Sequence, residues 1–356
     1  MKGVFLTPVP APYQIAFAKA LQPYMDIQFW FMTSIKDSTR PPYWEMPLPD
    51  YCQILPTLFR KKQLFYCSSL TKRLNKRDPD FIVLHGKWNN LSWLFAYQWA
   101  RKHKKKILMG PLEIPTNQNW IKETLRKALY RKIDAFLCVG YRSLDYYSTV
   151  KEKNKTYLLS YAADLERELT HEPRKQGQTI TFLHSGSMNE RFRVLSILSV
   201  FEKLAQNNQN IRLLLSGNGP LKEACQTKIQ DSPVLSKSVS WLEVNSWSEV
   251  QDAYLSADVL ISYPAYAGWG LTIPEAMASG MGIIASNSVE AARELIINGY
   301  NGYLVRNDEE LSLAMITYIQ NTGLIEEHGN TNKKIAPLEG VFEKAKTLHR
   351  IIESLG

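Results

Sequence analysis

The sequence predicts an α/β protein made of two doubly wound, Rossmann-like domains. Three observations carry that expectation. Short apolar runs alternate with helix-period segments along the chain. The alternation breaks at a charged stretch near the middle and then resumes. The length, 356 residues, exceeds one ordinary domain and suits two of about 150–180 residues each.

The elements follow in order. In the first half, strands are expected at Gly3–Thr7, Ile27–Met32, Phe81–Leu84, Ile107–Met109 and Ala135–Val139. In the second half they are expected at Ile180–Ser185, Ile211–Ser216, Val239–Leu242, Asp258–Tyr263 and Gly282–Ala285. The stretch Ala163–Gln178, charged and containing Pro173 and Gly177, reads as the linker. The expected domains are therefore 1–165 and 172–337, with a last helix at about 338–355 that packs back on the first domain. Sheets of this kind bind ligands at the carboxyl ends of their strands, so a cleft between the two is the expected site.

Composition excludes several classes. Hydrophobic residues are 45% and charged residues 22%, which is ordinary for a globular chain and not for a disordered one. The longest apolar runs fall far short of a membrane span of about 20 residues. The start, MKGVFLTPVP, reads as a first strand and not as a signal peptide. The four cysteines, at 52, 67, 138 and 225, form no C-x-x-C pair and no zinc spacing, so reduced thiols in or near a core are expected.

The net charge of +9 is unevenly spread. Residues 1–170 hold 27 basic and 14 acidic side chains, a net +13, and the remainder is −4. A basic half calls for an anionic partner: nucleic acid, a membrane surface or a phosphorylated substrate. The basic clusters at Arg60–Lys62, Lys72–Arg77 and Arg101–Lys106 lie on several elements, and no nucleic-acid motif accompanies them, so nucleic acid is not expected. The segment Asn119–Lys132 reads as a basic amphipathic helix, with Trp120, Leu125 and Leu129 on one side and Lys122, Arg126, Lys127, Arg131 and Lys132 elsewhere. It suits either a surface helix packed on its own sheet or attachment to an anionic membrane.

The most informative stretch is Ala257–Val305. A strand runs to Tyr263, a loop follows with Gly268 and Gly270 flanking Trp269, and a helix then carries Glu275 among small residues. A Gly-rich loop entering a helix presents backbone N–H groups with the positive helix end behind them, which suits a phosphate or diphosphate. A carboxylate one turn inside can accept hydrogen bonds from a ribose diol. Glu275 also suits plain compensation of the helix dipole. Trp269 suits either a plug at the loop–helix junction or a ligand contact. No G-x-G-x-x-G follows the first strand, where TPVPAP stands, so a dinucleotide-dependent dehydrogenase is excluded. No paired carboxylates sit at a clear spacing for glycoside hydrolysis.

The segment GWGLTIPEAMASGMGIIAS resembles the signature of the family 4 glycosyltransferases of GT-B fold. GSMNERFR (186–193), LLLSGNGPL (213–221), AYLSADVLISYP (253–264) and INGYNGYLV (297–305) resemble other family segments in the expected order. DPDFIVLH with HGKWNNLSW (85–93) resembles the N-domain strand that ends in an active-site His. The resemblance covers nearly the whole chain, strongly in 180–305 and weakly in 1–170.

It implies a retaining, metal-independent hexosyltransferase with no cofactor, using a nucleotide-sugar donor, a UDP-sugar before a GDP-sugar. The implied acceptor is a glycan or lipid-linked sugar in surface polysaccharide or glycolipid assembly. It implies that Glu275 binds the ribose and that Gly268, Trp269, Gly270, Leu271 and Thr272 meet sugar and phosphates, with Gly186, Gly217 and Gly219 in the neighbouring donor loops. Arg191 and Arg193 are both candidates for the diphosphate grip, because the family's basic positions read Ser187 and Phe192 here. His85 would orient sugar or acceptor, and Tyr13, Lys87 and Trp88 would lie on the acceptor side. The first Glu of the family's E-x7-E pattern is Ala267. That departure implies an altered sugar, a substitute such as Tyr266, or a binding protein with weak or lost catalysis. With the basic half, the resemblance implies a cytoplasmic enzyme held peripherally on the inner membrane face.

Overall fold

The computed structural model describes residues 1–61, 64–115, 120–151, 155–170 and 177–356. The chain divides into two units, Met1–Asp164 with Val341–Gly356, and Leu165–Gly340. Among the described residues, the first unit holds strands β1 (Lys2–Thr7), β2 (Asp26–Phe31), β3 (Cys52–Ile54), β4 (Phe59–Lys61), β5 (Leu64–Tyr66), β6 (Phe81–Leu84), β7 (Lys106–Leu112), β8 (Ala135–Cys138) and β9 (Thr156–Leu158). The second holds β10 (Ile180–Ser185), β11 (Ile211–Ser216), β12 (Val239–Leu242), β13 (Val259–Ser262), β14 (Gly282–Ser286) and β15 (Tyr303–Val305).

The first sheet has the order β3-β2-β1-β6-β7-β8-β9, with every pairing parallel. The second has the order β12-β11-β10-β13-β14-β15, also parallel throughout. Strands β4 and β5 form a separate antiparallel hairpin. A parallel sheet covered on both faces buries every residue of its central strands, which is why these strands read as apolar runs without alternation. β6 (Phe-Ile-Val-Leu) and β8 (Ala-Phe-Leu-Cys) are buried at all positions.

Successive side chains still go to opposite faces. Val4, Leu6, Ile82 and Leu84 join one core of the first unit with Trp93 and Trp30. Phe5, Phe81 and Val83 join the other, with Phe29, Ala18, Leu21, Leu348 and Ile352. The last helix, Val341–Ser354, therefore packs on the helix Pro12–Leu21 of the first unit. In the second unit, Phe182, Leu213, Val259 and Ile284 meet Ile197, Phe201 and Tyr318 from the helices Val194–Ala205 and Asp308–Gln320.

Several local expectations change. The stretch read as the linker contains a helix, Glu166–Thr170, that belongs to the second unit and buries Glu168; residues 171–176 lie outside the described residues. The helix Trp120–Tyr130 buries a charge that its sequence pattern reads as solvated. Arg126 is buried, with its guanidinium 5.8 Å from the Tyr146 ring centre and hydrogen-bonded to the Tyr146 hydroxyl. Trp120 and Leu125 instead stand in solvent, 75% and 56% exposed. The long Arg stem fills apolar space while aromatic rings and Glu123 receive its head. Asn119 and Lys62 lie outside the described residues, as do the side chains of Arg60, Lys61 and Lys122. In the cluster Lys72–Arg77, Arg73 donates to Gln53 (2.6 Å) and Arg77 pairs with Asp26. The four cysteines are free and buried. Among the described residues, no helix is long and apolar enough to cross a membrane.

Candidate functional site

The carboxyl edge of the second sheet gathers most of the residues that the sequence singles out. β10 ends at Ser185, and the chain passes through Gly186 into a short turn, Glu190–Phe192. Asn189 caps that turn by accepting from the Arg191 amide (3.0 Å). β13 ends at Ser262 and leads through the glycine loop to the seven-residue helix Thr272–Ala278. One backbone bond joins the two loops: the Ala265 amide donates to the Arg191 carbonyl at 2.7 Å.

That bond separates the two arginines. The Arg191 guanidinium lies 4.5 Å from the Phe192 ring centre and 5.5 Å from that of Tyr266, which is 64% exposed. Arg193 sits at φ 51° between the turn and the helix Val194–Ala205. Its guanidinium lies 5.0 Å from the ring centre of Tyr263, whose hydroxyl donates to Asp308 at 2.8 Å. Burial, with Asp308 adding, pushes the Tyr263 phenol up to about 12. Arg193 is thus built into a Tyr263–Asp308 cluster, while Arg191 stands with the exposed side of the glycine loop.

The glycine loop has structural work of its own. The carbonyls of Gly268 and Trp269 accept from the amides of Glu290 and Ala291 (3.2 and 2.8 Å), satisfying the start of the helix Glu290–Leu295. The Trp269 indole is 4% exposed, so it plugs the junction and only its backbone is available to a ligand. Gly270 has φ +90°, and a Cβ there would come within 2.5 Å of Val289. Gly217, at φ +138°, lies so close to the Gly186 backbone that a Cβ would meet its carbonyl oxygen at 1.8 Å. Gly217 is therefore required for the approach of two loops, which the Gly186 amide bond to Ser216 (2.9 Å) and the Met188 amide bond to Asn218 (2.9 Å) then fix. Gly219 lies in the same turn, beside Met188. Leu271 and Thr272 are partly buried at the helix start.

Glu275 is 6% exposed. Its carboxylate is met by the buried Tyr254 hydroxyl, which also hydrogen-bonds Ser185; burial and Glu275 together hold that phenol well above its ordinary range. Sequence reasoning missed Tyr254, because nothing in the helix Trp247–Leu255 marks one tyrosine as facing a carboxylate. It also missed His184, which is buried beneath the Gly186 loop with Nδ1 3.3 Å from the Ile261 carbonyl oxygen; burial lowers it to about 4.

The first unit brings a second group to the carboxyl edge of its own sheet. His85 follows β6, Thr7 ends β1, and Tyr13 and Gln14 open the helix Pro12–Leu21. The His85 Nδ1 lies 2.8 Å from Thr7 Oγ1 and 3.3 Å from Gln14 Nε2, and Nε2 lies 3.4 Å from the Tyr161 hydroxyl. The Tyr161 ring meets Tyr13 edge-on at 5.7 Å, so Tyr13 and His85 share one cluster. Burial, helped by the Arg40 charge, lowers His85 to about 4, so the ring is neutral at physiological pH. Burial, with the Glu113 carboxylate adding and Arg40 opposing, pushes the Tyr13 phenol up to about 12. Tyr161, Arg40 and Glu113 carried no sequence signal. Lys87 and Trp88 do not join this cluster: Lys87 is exposed, and Trp88 packs against the core around Leu84 and Trp93.

Two α/β units, each built on an all-parallel main sheet with the candidate residues gathered at its carboxyl edge, give the architecture of the GT-B glycosyltransferases. Residues 165–335, nearly the whole second unit, match the family model described as glycosyl transferases group 1. The fold is similar to that of Anabaena HepE crystallised with UDP, with a TM-score of 0.77 at 14% identity over 99% of this chain and 100% of that one. It is similar to sucrose-phosphate synthase from Thermosynechococcus elongatus, with a TM-score of 0.74 at 15% identity over 100% and 99% of the two chains. It is also similar to the lipopolysaccharide outer core galactosyltransferase WaaB, with a TM-score of 0.71 at 16% identity over 99% of each chain. In sequence, the chain is 26% identical over 134 residues to the lipopolysaccharide 1,6-galactosyltransferase of Salmonella typhimurium strain LT2, covering 37% of each. It is 31% identical over 107 residues to an uncharacterized glycosyltransferase of Methanocaldococcus jannaschii, covering 26% of this chain and 27% of that one. The matched stretches thus span well under half of those two relatives.

Proposed function

We propose that the protein is a retaining glycosyltransferase that moves a hexose from a nucleotide sugar to a glycan or lipid-linked acceptor. The observation that carries this reading is the pairing of Arg191 with the glycine loop through the Ala265 amide, beside the helix that holds Glu275. A diphosphate needs fixed positive charge where the leaving oxygen gains negative charge. Arg191 supplies a cation, and the helix start supplies the amides of Leu271 and Thr272 as donors. Glu275, held by Tyr254, offers carboxylate oxygens to a ribose diol. A UDP-sugar is favoured over a GDP-sugar, in keeping with the UDP named in the HepE structure.

In the reaction, the acceptor oxygen bonds to the anomeric carbon as the bond from that carbon to the phosphate oxygen breaks. The acceptor proton passes to the departing diphosphate. Arg191 and the loop amides do the work that a metal does elsewhere, so no metal or cofactor is required. Neutral His85 donates a hydrogen bond to a substrate oxygen, and Tyr13 gives the acceptor an aromatic edge.

The acceptor belongs to cell-surface polysaccharide or glycolipid assembly, in keeping with the lipopolysaccharide galactosyltransferases named above. Exposed Trp120 and Leu125, on a basic helix of a half-chain with net charge +13, suit peripheral attachment to an anionic, cytoplasmic membrane face. Ala267 supports a second reading, a nucleotide-sugar-binding protein with weak or lost turnover. Calorimetric titration with UDP and GDP, followed by a turnover assay, separates the two. Transfer requires both binding and product; binding alone favours the second reading, and no binding of either nucleotide removes both.

A further inference from the structure

The hydrogen-bond network behind His85 determines which ring nitrogen carries the proton. Gln14 and His85 are 95% and 92% buried, so solvent cannot relieve a clash of donors here; Gln14 Oε1 itself has no hydrogen-bond partner. The Gln14 Nε2 amide donates to Thr7 Oγ1 at 2.8 Å and faces His85 Nδ1 at 3.3 Å. An amide nitrogen carries only donors. A proton on Nδ1 would go to Thr7 Oγ1, the nearer atom, crowding the Gln14 donor and leaving the buried Thr7 hydroxyl proton no acceptor within this network. With Nδ1 unprotonated, the conflict disappears. Thr7 Oγ1 accepts from Gln14, and its own hydroxyl proton goes to Nδ1 across 2.8 Å. The ring is then satisfied on its inner side, and Nε2 holds the single proton. Nε2 faces the Tyr161 hydroxyl at 3.4 Å, the longest and weakest contact of the set.

We propose that Gln14, acting through Thr7, is a positioning residue that fixes His85 as the Nε2–H tautomer, so that His85 serves the reaction as a hydrogen-bond donor and not as a general base. A base needs an unprotonated nitrogen aimed at the substrate. Here the unprotonated nitrogen points inward, to a hydroxyl that already fills it. The outward nitrogen gives its N–H to Tyr161, and a sugar oxygen replaces that weak partner when substrate binds. The donor role rests on the transferase reading above; the tautomer does not.

The test is long-range proton–nitrogen correlation NMR on the full chain with 15N-labelled histidine, taken near pH 7.5. The His85 signal is assigned by its loss in His85→Gln. The expected spectrum shows Nε2 protonated and Nδ1 in the unprotonated range. Gln14→Glu replaces the donor facing Nδ1 with an acceptor, and the Nδ1 resonance should move toward the protonated range. Thr7→Val, which keeps the shape and removes the hydroxyl, should shift Nδ1 away from its hydrogen-bonded position and serves if Gln14→Glu fails to fold. An Nδ1–H form in the unsubstituted protein, or an Nδ1 resonance unmoved by these substitutions, overturns the assignment. For the donor role, His85→Gln, whose side-chain N–H reaches the place of Nε2, should keep several-fold more turnover than His85→Asn. Equal loss in both overturns the donor role and leaves the tautomer standing. Absence of any turnover in the unsubstituted protein removes the transferase reading and again leaves the tautomer.

Discussion

The Ala265 amide donates to the Arg191 carbonyl at 2.7 Å, tying the turn after β10 to the glycine loop after β13. This bond sets Arg191 beside exposed Tyr266, whereas Arg193, two residues on, is committed to Tyr263 and Asp308. Neighbours in sequence therefore have different work, and different losses are expected. Arg191→Ala should lower turnover by roughly 10²–10³-fold, the size of one lost charge-stabilising donor, with little change in melting temperature. Arg193→Ala should cost about 1 kcal/mol of stability through its lost cation–π contact and leave most turnover. Steady-state kinetics and thermal unfolding on both variants decide this; equal effects on rate contradict it.

Glu275→Ala should weaken nucleotide binding by roughly 1.5–3 kcal/mol for each charge-assisted bond lost. Tyr254→Phe removes only the hydroxyl that meets Glu275, and should weaken binding less than Glu275→Ala does. Calorimetry with UDP measures both. An affinity unchanged by Glu275→Ala takes this residue out of the site.

Gly217→Ala should destabilise the second unit severely, because a Cβ would meet the Gly186 carbonyl oxygen at 1.8 Å and φ is +138°. Loss of more than ~2 kcal/mol is expected from a forced backbone shift with unfavourable φ. Denaturant unfolding measures it, and a near-neutral result shows that the two loops do not approach this closely.

His85 and His184 each lie near 4 when folded, against 6.5 for a free histidine. The unfolded chain therefore binds protons first as pH falls. The stability these groups contribute is intact above about pH 6.5 and is lost between there and about 4. A tenfold difference in proton affinity is worth ~1.4 kcal/mol, so each histidine accounts for ~3 kcal/mol across that window. Unfolding free energies measured there should fall with pH, and His85→Gln should flatten the slope. An unchanged slope contradicts the burial argument for His85.

Trp120 and Leu125 are large apolar side chains exposed on the basic helix Trp120–Tyr130. Vesicles rich in anionic lipid should sediment the protein at low salt and release it at about 1 M salt, where screening shortens to about 3 Å. Trp120→Ser with Leu125→Ser should weaken this binding. Equal binding to neutral and anionic vesicles contradicts charge-driven attachment, no binding to either at low salt contradicts membrane attachment, and both leave the transferase reading untouched.

Much of the fold was legible because central parallel strands such as β6 and β14 are buried at every position and read as unbroken apolar runs. The three-residue strands β3, β9 and β15 mix buried and partly exposed positions, so they carry no such signal. The glycine loop and Glu275 were legible as a local pattern within one strand–loop–helix segment. The separation of Arg191 from Arg193 was not, because spacing does not say which guanidinium meets Tyr266 and which meets Tyr263. Arg126 misled, since a charge on an amphipathic helix reads as solvated, and its burial depends on Tyr146, 20 residues away. The partners of His85 lie 71–78 residues from it along the chain, beyond any local pattern.

The most direct test is a mass-spectrometric assay of the purified protein against a panel of nucleotide sugars with glycan and lipid-linked acceptors, with the anomeric configuration of the product read by proton NMR. Release of UDP with a hexose added to an acceptor at retained anomeric configuration, lost in Arg191→Ala, is the predicted result. No turnover and no binding of any nucleotide sugar would contradict it.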